Sequence, residues 1–220
     1  MRSTQDKTSF GIFIYDGVEP IDIGATHGVL SMAKRVLPNI AMTVIAERRG
    51  PVRLANGLTV IADHGLADCP PVDVLIVCGG PGWSDQIKKP AVLDFIRNWA
   101  PRGLLASVCT GGMILAASGV LDGLKATTRR HAVGGEPAAP LRQMHDLRPA
   151  VTPVEALLVD QGAVVTGGGV SLAIDTTLHL LERLYGPKAA GDTATTIEYG
   201  VAWRANRDAL PAIDNATEVA

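Results

Sequence analysis

The hydrophobic pattern of the chain alternates short apolar runs with longer segments in which apolar residues recur at helical spacing. Residues 10–15, 42–46 and 72–78 are almost wholly apolar, which is typical of parallel strands buried on both faces. The intervening segments predict helices, one beginning at Pro20 and another over residues 91–100. The alternation predicts an α/β fold with one doubly wound, mostly parallel, flavodoxin-like sheet.

The second half of the chain continues this pattern, after a polar and poorly periodic stretch that ends near residue 153. Residues 163–166 predict a late strand, a long helix follows to Tyr185, and a last helix covers residues 188–199. Asn56-Gly57 lies between two β-prone runs and predicts a β-hairpin insertion. We expect one domain over residues 8–203, with residues 1–7 and 204–220 as flexible tails.

The strongest local signal is the segment from Leu104 to Gly112. An apolar strand stops at Cys109, two glycines follow, and good helix formers continue the chain. This is the pattern of a nucleophile elbow, a sharp strand-to-helix turn that exposes one reactive side chain. A thiol at a helix N-terminus is favoured as the nucleophilic thiolate. The alternative is that Cys109 is only a small buried hydrophobic residue.

Three further segments follow predicted strands at their carboxyl ends. They are residues 16–22, the glycine-rich residues 79–82, and residues 167–170. In doubly wound sheets, ligands bind beyond the carboxyl ends of the strands. We therefore expect these segments to converge on Cys109 and Thr110.

Composition excludes several classes of function. A net charge of −2 over 220 residues leaves no basic surface for nucleic acid. No run of about 18 apolar residues or signal-peptide pattern is present, so we expect a cytoplasmic protein without a membrane partner. Three cysteines without a CxxC pair argue against a disulfide framework or a zinc site.

Together these features resemble the DJ-1/PfpI (class I glutamine amidotransferase-like) superfamily, and within it the isocyanide hydratase branch, over about residues 10–199. The residues that carry the resemblance are Ile21-Asp22, Asp68-Cys69-Pro70-Pro71-Val72-Asp73-Val74, Gly79-Gly80, Ser107-Val108-Cys109-Thr110-Gly111, Ala126-Thr127-Thr128, Thr166-Gly167-Gly168-Gly169, Ile174-Asp175 and Glu198-Tyr199. The resemblance implies a homodimeric enzyme that needs no cofactor or metal and acts on a small molecule.

The resemblance also implies that the elbow cysteine pairs with an acid at Asp22. A protonated carboxyl can donate a hydrogen bond to a thiolate, whereas an ionised one would raise the pKa of the thiol. Glu19 and Asp16 are competing acids, and Asp22 could instead serve only the dipole of its helix.

The remaining family positions fall at Thr110, Gly80 and Val170. Thr110 matches a threonine that could hold the acid or a water, or could only satisfy the start of the helix. Gly80 and the backbone at Val170 match positions that line the cysteine pocket, where backbone N–H groups could stabilise negative charge. These glycines could also simply form turns.

One departure from the family concerns the residue after Thr127-Thr128. Relatives often have a histidine there, but this chain has Arg129, with His131 two residues further on. A Cys-His peptidase pair is therefore disfavoured. The resemblance implies hydration of isocyanides to N-substituted formamides through a thioimidate on Cys109. The alternatives are glyoxalase or deglycase chemistry on reactive carbonyls, and a ligand-sensing domain without catalysis.

Overall fold

The computed structural model describes residues 1–214, and within them a seven-stranded sheet forms the centre of the fold. The strand order is β11-β9-β10-β6-β5-β1-β2, and two small two-stranded sheets, β3-β4 and β7-β8, lie outside it. In chain order the strands are β1 (Thr8–Phe13), β2 (Ile40–Ile45), β3 (Gly50–Arg53), β4 (Thr59–Ala62), β5 (Val74–Val77), β6 (Leu104–Ser107), β7 (Lys125–Ala126), β8 (Thr152–Pro153), β9 (Leu158–Asp160), β10 (Val164–Gly167) and β11 (Ala212–Asp214).

Helices connect most of these strands. Proline occupies the first turn of four of the helices, where a backbone N–H would have no partner within the helix, so proline's missing N–H costs no hydrogen bond. A π-helical turn, Gly24–Gly28, joins the first two helices. The α-helices are α1 (Pro20–Ile23), α2 (Val29–Ala33), α3 (Trp83–Gln86), α4 (Pro90–Trp99), α5 (Gly111–Ser118), α6 (Pro140–Leu147), α7 (Ala173–Tyr185), α8 (Pro187–Thr196) and α9 (Gly200–Ala209). Across residues 1–214 no helix combines the length and apolarity needed to cross a membrane.

The sheet confirms the predicted α/β fold. Strands β2, β1, β5, β6 and β10 run parallel to one another, while β9 pairs antiparallel to β10. Every residue of β5 is buried, because helices cover both faces of the sheet. The carboxyl ends of the parallel strands therefore lie along one edge, where the loops that follow them meet.

The predicted hairpin is also confirmed. Strands β3 and β4 pair antiparallel, and the turn between them places Asn56 at φ 60° and Gly57 at φ 97°. Asparagine and glycine reach this left-handed region more easily than other residues, so the Asn-Gly pair suits the reversal.

The expectation of a loose tail from Arg204 onward is wrong for residues 204–214. Helix α9 continues to Ala209, and β11 adds a parallel strand beside β9. Trp203 is buried, and Asn206 donates hydrogen bonds to Asp175 on α7. Most other side chains of this segment are exposed, so few apolar residues in the sequence indicated that it docks on the fold. The remaining expected tail, residues 215–220, lies outside the described residues.

The N-terminal segment, expected to be flexible, is attached to the fold through Arg2. Its backbone N–H donates to the carbonyl of Leu184 at 2.6 Å. Its guanidinium pairs with Asp73 at 3.0 Å. These contacts fix the chain before β1 begins at Thr8.

Candidate active site

Cys109 occupies the turn between β6 and α5, as the elbow pattern predicts. Its φ of 52° is left-handed, a conformation that few non-glycine residues adopt and that the surroundings must enforce. Its N–H donates to the carbonyl of Gly168 at 3.0 Å, and its own carbonyl accepts from the hydroxyl of Thr128 at 2.7 Å. The side chain is buried, so the turn holds a thiol that little bulk water reaches.

A glycine at position 111 is required for this turn. A Cβ there would lie 2.1 Å from the carbonyl oxygen of Val77 at the end of β5. The start of α5 therefore packs directly against the neighbouring strand, which brings the elbow to the edge where the strand ends meet.

Asp22 lies in α1 and is fully buried. Its Oδ2 accepts a 2.8 Å hydrogen bond from the backbone N–H of Gly79, while Oδ1 makes no hydrogen bond of sound geometry within residues 1–214. Burial, reinforced by the charge of Glu19, raises the pKa of Asp22 to about 7, against the opposing hydrogen bond from Gly79. A substantial fraction of this carboxyl is therefore protonated at neutral pH.

The thiol of Cys109 and the carboxyl of Asp22 influence each other directly. Burial, and then the negative charge of Asp22, raise the pKa of Cys109, whereas the N–H of Thr110 and the charge of Arg129 act to lower it. Two neighbouring buried groups of this kind titrate as a coupled pair. A thiolate forms most easily when Asp22 is protonated, because the neutral carboxyl does not repel it.

Thr110 and Gly80 are hydrogen-bonded to each other. The N–H of Gly80 donates to the Thr110 hydroxyl at 2.8 Å, and that hydroxyl can donate back to the Gly80 carbonyl at 3.2 Å. Gly80 has φ 144°, and a Cβ there would lie 2.3 Å from the backbone nitrogen of Glu19. The N–H of Gly80 is already bonded to Thr110, so it is not free to stabilise an anion. The role of this glycine is to let its backbone pass close to that of Glu19.

A cavity of about 310 Å³ opens onto Cys109. Gly80, Thr110 and Val170 are among the residues that line it. Its apolar walls are completed by Ile21, Pro81 and Val133.

The two competing acids, Glu19 and Asp16, differ from Asp22 in burial and contacts. Glu19 lines the cavity without a hydrogen bond or ion pair from its carboxylate to the rest of residues 1–214. Asp16 accepts a 2.8 Å hydrogen bond from the N–H of Arg53 and so holds the hairpin. Of the three acids, Asp22 alone is fully buried beside the thiol.

Sequence reasoning missed one charged pair in this cavity. Arg129, noted only as a departure from the usual histidine, is buried and forms an ion pair with Glu136. Both side chains line the same cavity as Cys109, whereas His131 is exposed and is not part of its lining. Residues 131–139 have no regular periodicity, so no local pattern indicated that Glu136 returns to Arg129.

The sequence and fold are similar to those of known proteins. The model of the DJ-1/PfpI family matches residues 9–183. Isonitrile hydratase of Pseudomonas putida is 31% identical over 195 residues, which cover 87% of this chain and 78% of that protein. A THiJ/PfpI family protein from Pseudomonas syringae superposes with a TM-score of 0.77 at 24% identity, covering 89% of this chain and 76% of the other.

Relatives with other described roles also match. The glutathione-independent glyoxalase DJR-1.2 of Caenorhabditis elegans is 25% identical over 63% of this chain and 70% of its own length. The HTH-type transcriptional regulator CdhR of Pseudomonas aeruginosa is 28% identical over 67% of this chain but only 41% of its own length.

Proposed function

Since the chain belongs to the DJ-1/PfpI family, we propose that it is a cofactor-independent enzyme that hydrates isocyanides to N-substituted formamides. Cys109 is the nucleophile and Asp22 carries the proton. The observation that carries this proposal is the buried Asp22 carboxyl, with a pKa near 7, next to the thiol that opens onto the cavity. Similarity to isonitrile hydratase supports the substrate class.

The first step joins the substrate to the enzyme. The thiolate of Cys109 attacks the terminal carbon of R–N≡C, so a carbon–sulfur bond forms. The proton held by Asp22 passes to the same carbon, which gives the thioimidate R–N=CH–S and leaves Asp22 as a carboxylate. Attack and protonation at one carbon require the acid to lie beside the thiol.

The second step releases the product. Water adds to the thioimidate carbon, and one of its protons goes to the nitrogen. The remaining hydroxyl proton passes to the Asp22 carboxylate as the carbon–sulfur bond breaks. The products are R–NH–CHO, the Cys109 thiolate and protonated Asp22, so the net reaction consumes one water and restores the pair.

The roles of the other site residues follow from their contacts. The hydroxyl of Thr110 fixes the backbone of Gly80. The backbone N–H of Thr110 faces the Cys109 sulfur. Gly80 and Val170 leave space for the substrate at the thiol. We also propose a homodimer in the cytoplasm, which light scattering of the purified protein and fractionation of its host cells would test.

The test is an assay of the purified protein with alkyl isocyanides, methylglyoxal and a peptide substrate. We expect formamide from the isocyanides, and a loss of about 10³-fold or more in Cys109→Ser, because a hydroxyl is a far weaker nucleophile than a thiolate. Cys69→Ser is the matched control, since Cys69 is only partly buried and does not line the cavity. Isocyanide hydration that survives in Cys109→Ser would contradict the proposal.

The same assay separates the alternatives. Similarity to a glyoxalase favours conversion of methylglyoxal through the same thiolate, although the apolar walls suit an isocyanide substituent better than a hydrated dicarbonyl. Similarity to part of a transcriptional regulator favours ligand binding without turnover. Calorimetric binding of an isocyanide with no formamide produced would support this sensing role.

A further inference from the structure

Arg129 is a buried cation in the wall of this cavity, and among residues 1–214 its acidic partner is Glu136. Its side chain is 8% exposed, and its guanidinium forms an ion pair with Glu136 and donates to the carbonyl of His131. The second carboxylate oxygen of Glu136 accepts a 3.0 Å hydrogen bond from the N–H of Val133. Although burial opposes it, these hydrogen bonds hold the pKa of Glu136 below its usual range.

These contacts close residues 129–136 into a loop whose side chains form one wall of the cavity. Val133 and Glu136 line the cavity together with Arg129 and Cys109. The loop thus brings one positive and one negative charge close to the thiol. Burying an ion pair carries a desolvation penalty, but removing one partner costs more because it leaves an uncompensated buried charge.

The positive charge acts on both members of the thiol–acid pair. The charge of Arg129 lowers the pKa of Asp22 and of Cys109, against the larger effect of burial. The other titratable groups that face this pair are Glu19 before α1, Tyr15 after β1 and Cys78 after β5. Arg129 is the cation among these groups, and Glu136 is its ion-pair partner.

We propose that Arg129 and Glu136 are positioning residues that set the protonation of the Asp22–Cys109 pair by holding balanced charges in the cavity wall. Removing either partner leaves the charge of the other uncompensated. The two single substitutions must therefore act in opposite directions on the pair, and removing both must largely cancel. A purely structural role of the loop predicts no such opposition.

The experiment follows the alkylation rate of Cys109 by iodoacetamide against pH, with peptide mass analysis to separate Cys109 from Cys69 and Cys78. In Glu136→Gln, the unpaired guanidinium should move the profile to lower pH by about one unit. In Arg129→Gln, the unpaired carboxylate should move it to higher pH by a similar amount. The double variant should return close to wild type.

Two further variants separate charge from shape. Arg129→Lys keeps the charge and should keep the wild-type profile. Arg130→Gln is the matched control, because Arg130 pairs with Glu155 at 3.6 Å and does not line the cavity. Shifts of the two single variants in the same direction, or no larger than that of Arg130→Gln, would overturn the proposal.

The test does not require every variant to fold, and it does not require isocyanide turnover. Glu136 is partly exposed, so Glu136→Gln should fold even if Arg129→Gln does not, and thermal unfolding of each variant verifies this. The acid shift expected for Glu136→Gln then decides by itself. Alkylation needs no isocyanide turnover, so the result stands apart from the proposed function, although the catalytic meaning of the shift rests on it.

Discussion

The backbone N–H of Gly79 donates a 2.8 Å hydrogen bond to Oδ2 of Asp22. The loop after β5 therefore orients a carboxyl that α1 supplies, at the point where the elbow holds Cys109. One hydrogen bond is too little to offset complete burial, so the pKa of the acid stays near 7. The site combines a buried acid that keeps its proton with a thiol that needs to lose one.

Replacing Asp22 by Asn should abolish proton transfer while keeping the shape of the site. We expect isocyanide hydration to fall about 10²–10⁴-fold, the usual range of general acid–base catalysis. Substrate binding, measured by calorimetry with a Cys109→Ser background, should survive. Glu19→Gln is the control and should stay within a few-fold of wild type. An Asp22→Asn variant that is equally close to wild type would transfer the proton role to Glu19 or to water.

The same substitution should stabilise the fold at high pH. The pKa of Asp22 is raised in the folded state, so wild-type stability is full below the unfolded pKa of about 3.9 and declines as pH rises to about 7. Asn carries no charge and avoids this decline, which amounts to at most about 4 kcal/mol. Urea unfolding of both proteins at about pH 4 and at about pH 8 measures the difference, and a gap that does not widen between these two pH values would contradict the expectation.

Gly169→Ala should disturb the nucleophile directly. An added Cβ would lie 2.7 Å from the sulfur of Cys109, so the thiol or the loop must move. We expect a loss of turnover and of Cys109 alkylation, with about 1–3 kcal/mol lost from the free energy of unfolding.

Gly191→Ala on α8 is the control for this glycine substitution. Nothing lies within 4 Å of its added Cβ, and alanine in a helix should add about 0.5–1 kcal/mol to stability without affecting turnover. If Gly169→Ala retains full turnover, the close approach of this loop to Cys109 is unimportant for catalysis.

Asn206→Ala should loosen the docking of α9. Its amide donates to both oxygens of Asp175, at 3.3 and 3.0 Å, and Asp175 is fully buried. Loss of these bonds should cost about 1–3 kcal/mol in urea unfolding and should increase proteolysis near α9. Arg204→Ala, an exposed position on the same helix, should change neither measurement. Equal effects of both variants would show that Asp175 does not secure the helix.

The sequence by itself determined the elements that depend on local chemistry. Apolar runs become central strands because both faces of a parallel sheet are covered, and Asn56-Gly57 forms its hairpin because these residues reach positive φ. Strand, cysteine and glycines in succession indicated the elbow because glycine lets the start of a helix pack directly against the neighbouring strand. The sequence predicts that the segments carrying Asp22, Gly80, Thr110 and Val170 meet near Cys109, because the parallel strands before them end at one edge of the sheet.

Only the tertiary structure decided the features that depend on long-range partners. The complete burial of Asp22 distinguishes it from Glu19 and Asp16. No sequence motif indicates which of these three carboxyl groups is buried. Strand β11 docks through backbone hydrogen bonds, which any sequence can form, so its side chains gave no pattern. The pairing of Arg129 with Glu136 depends on how an irregular loop returns to the cavity, which no local pattern in the sequence indicates.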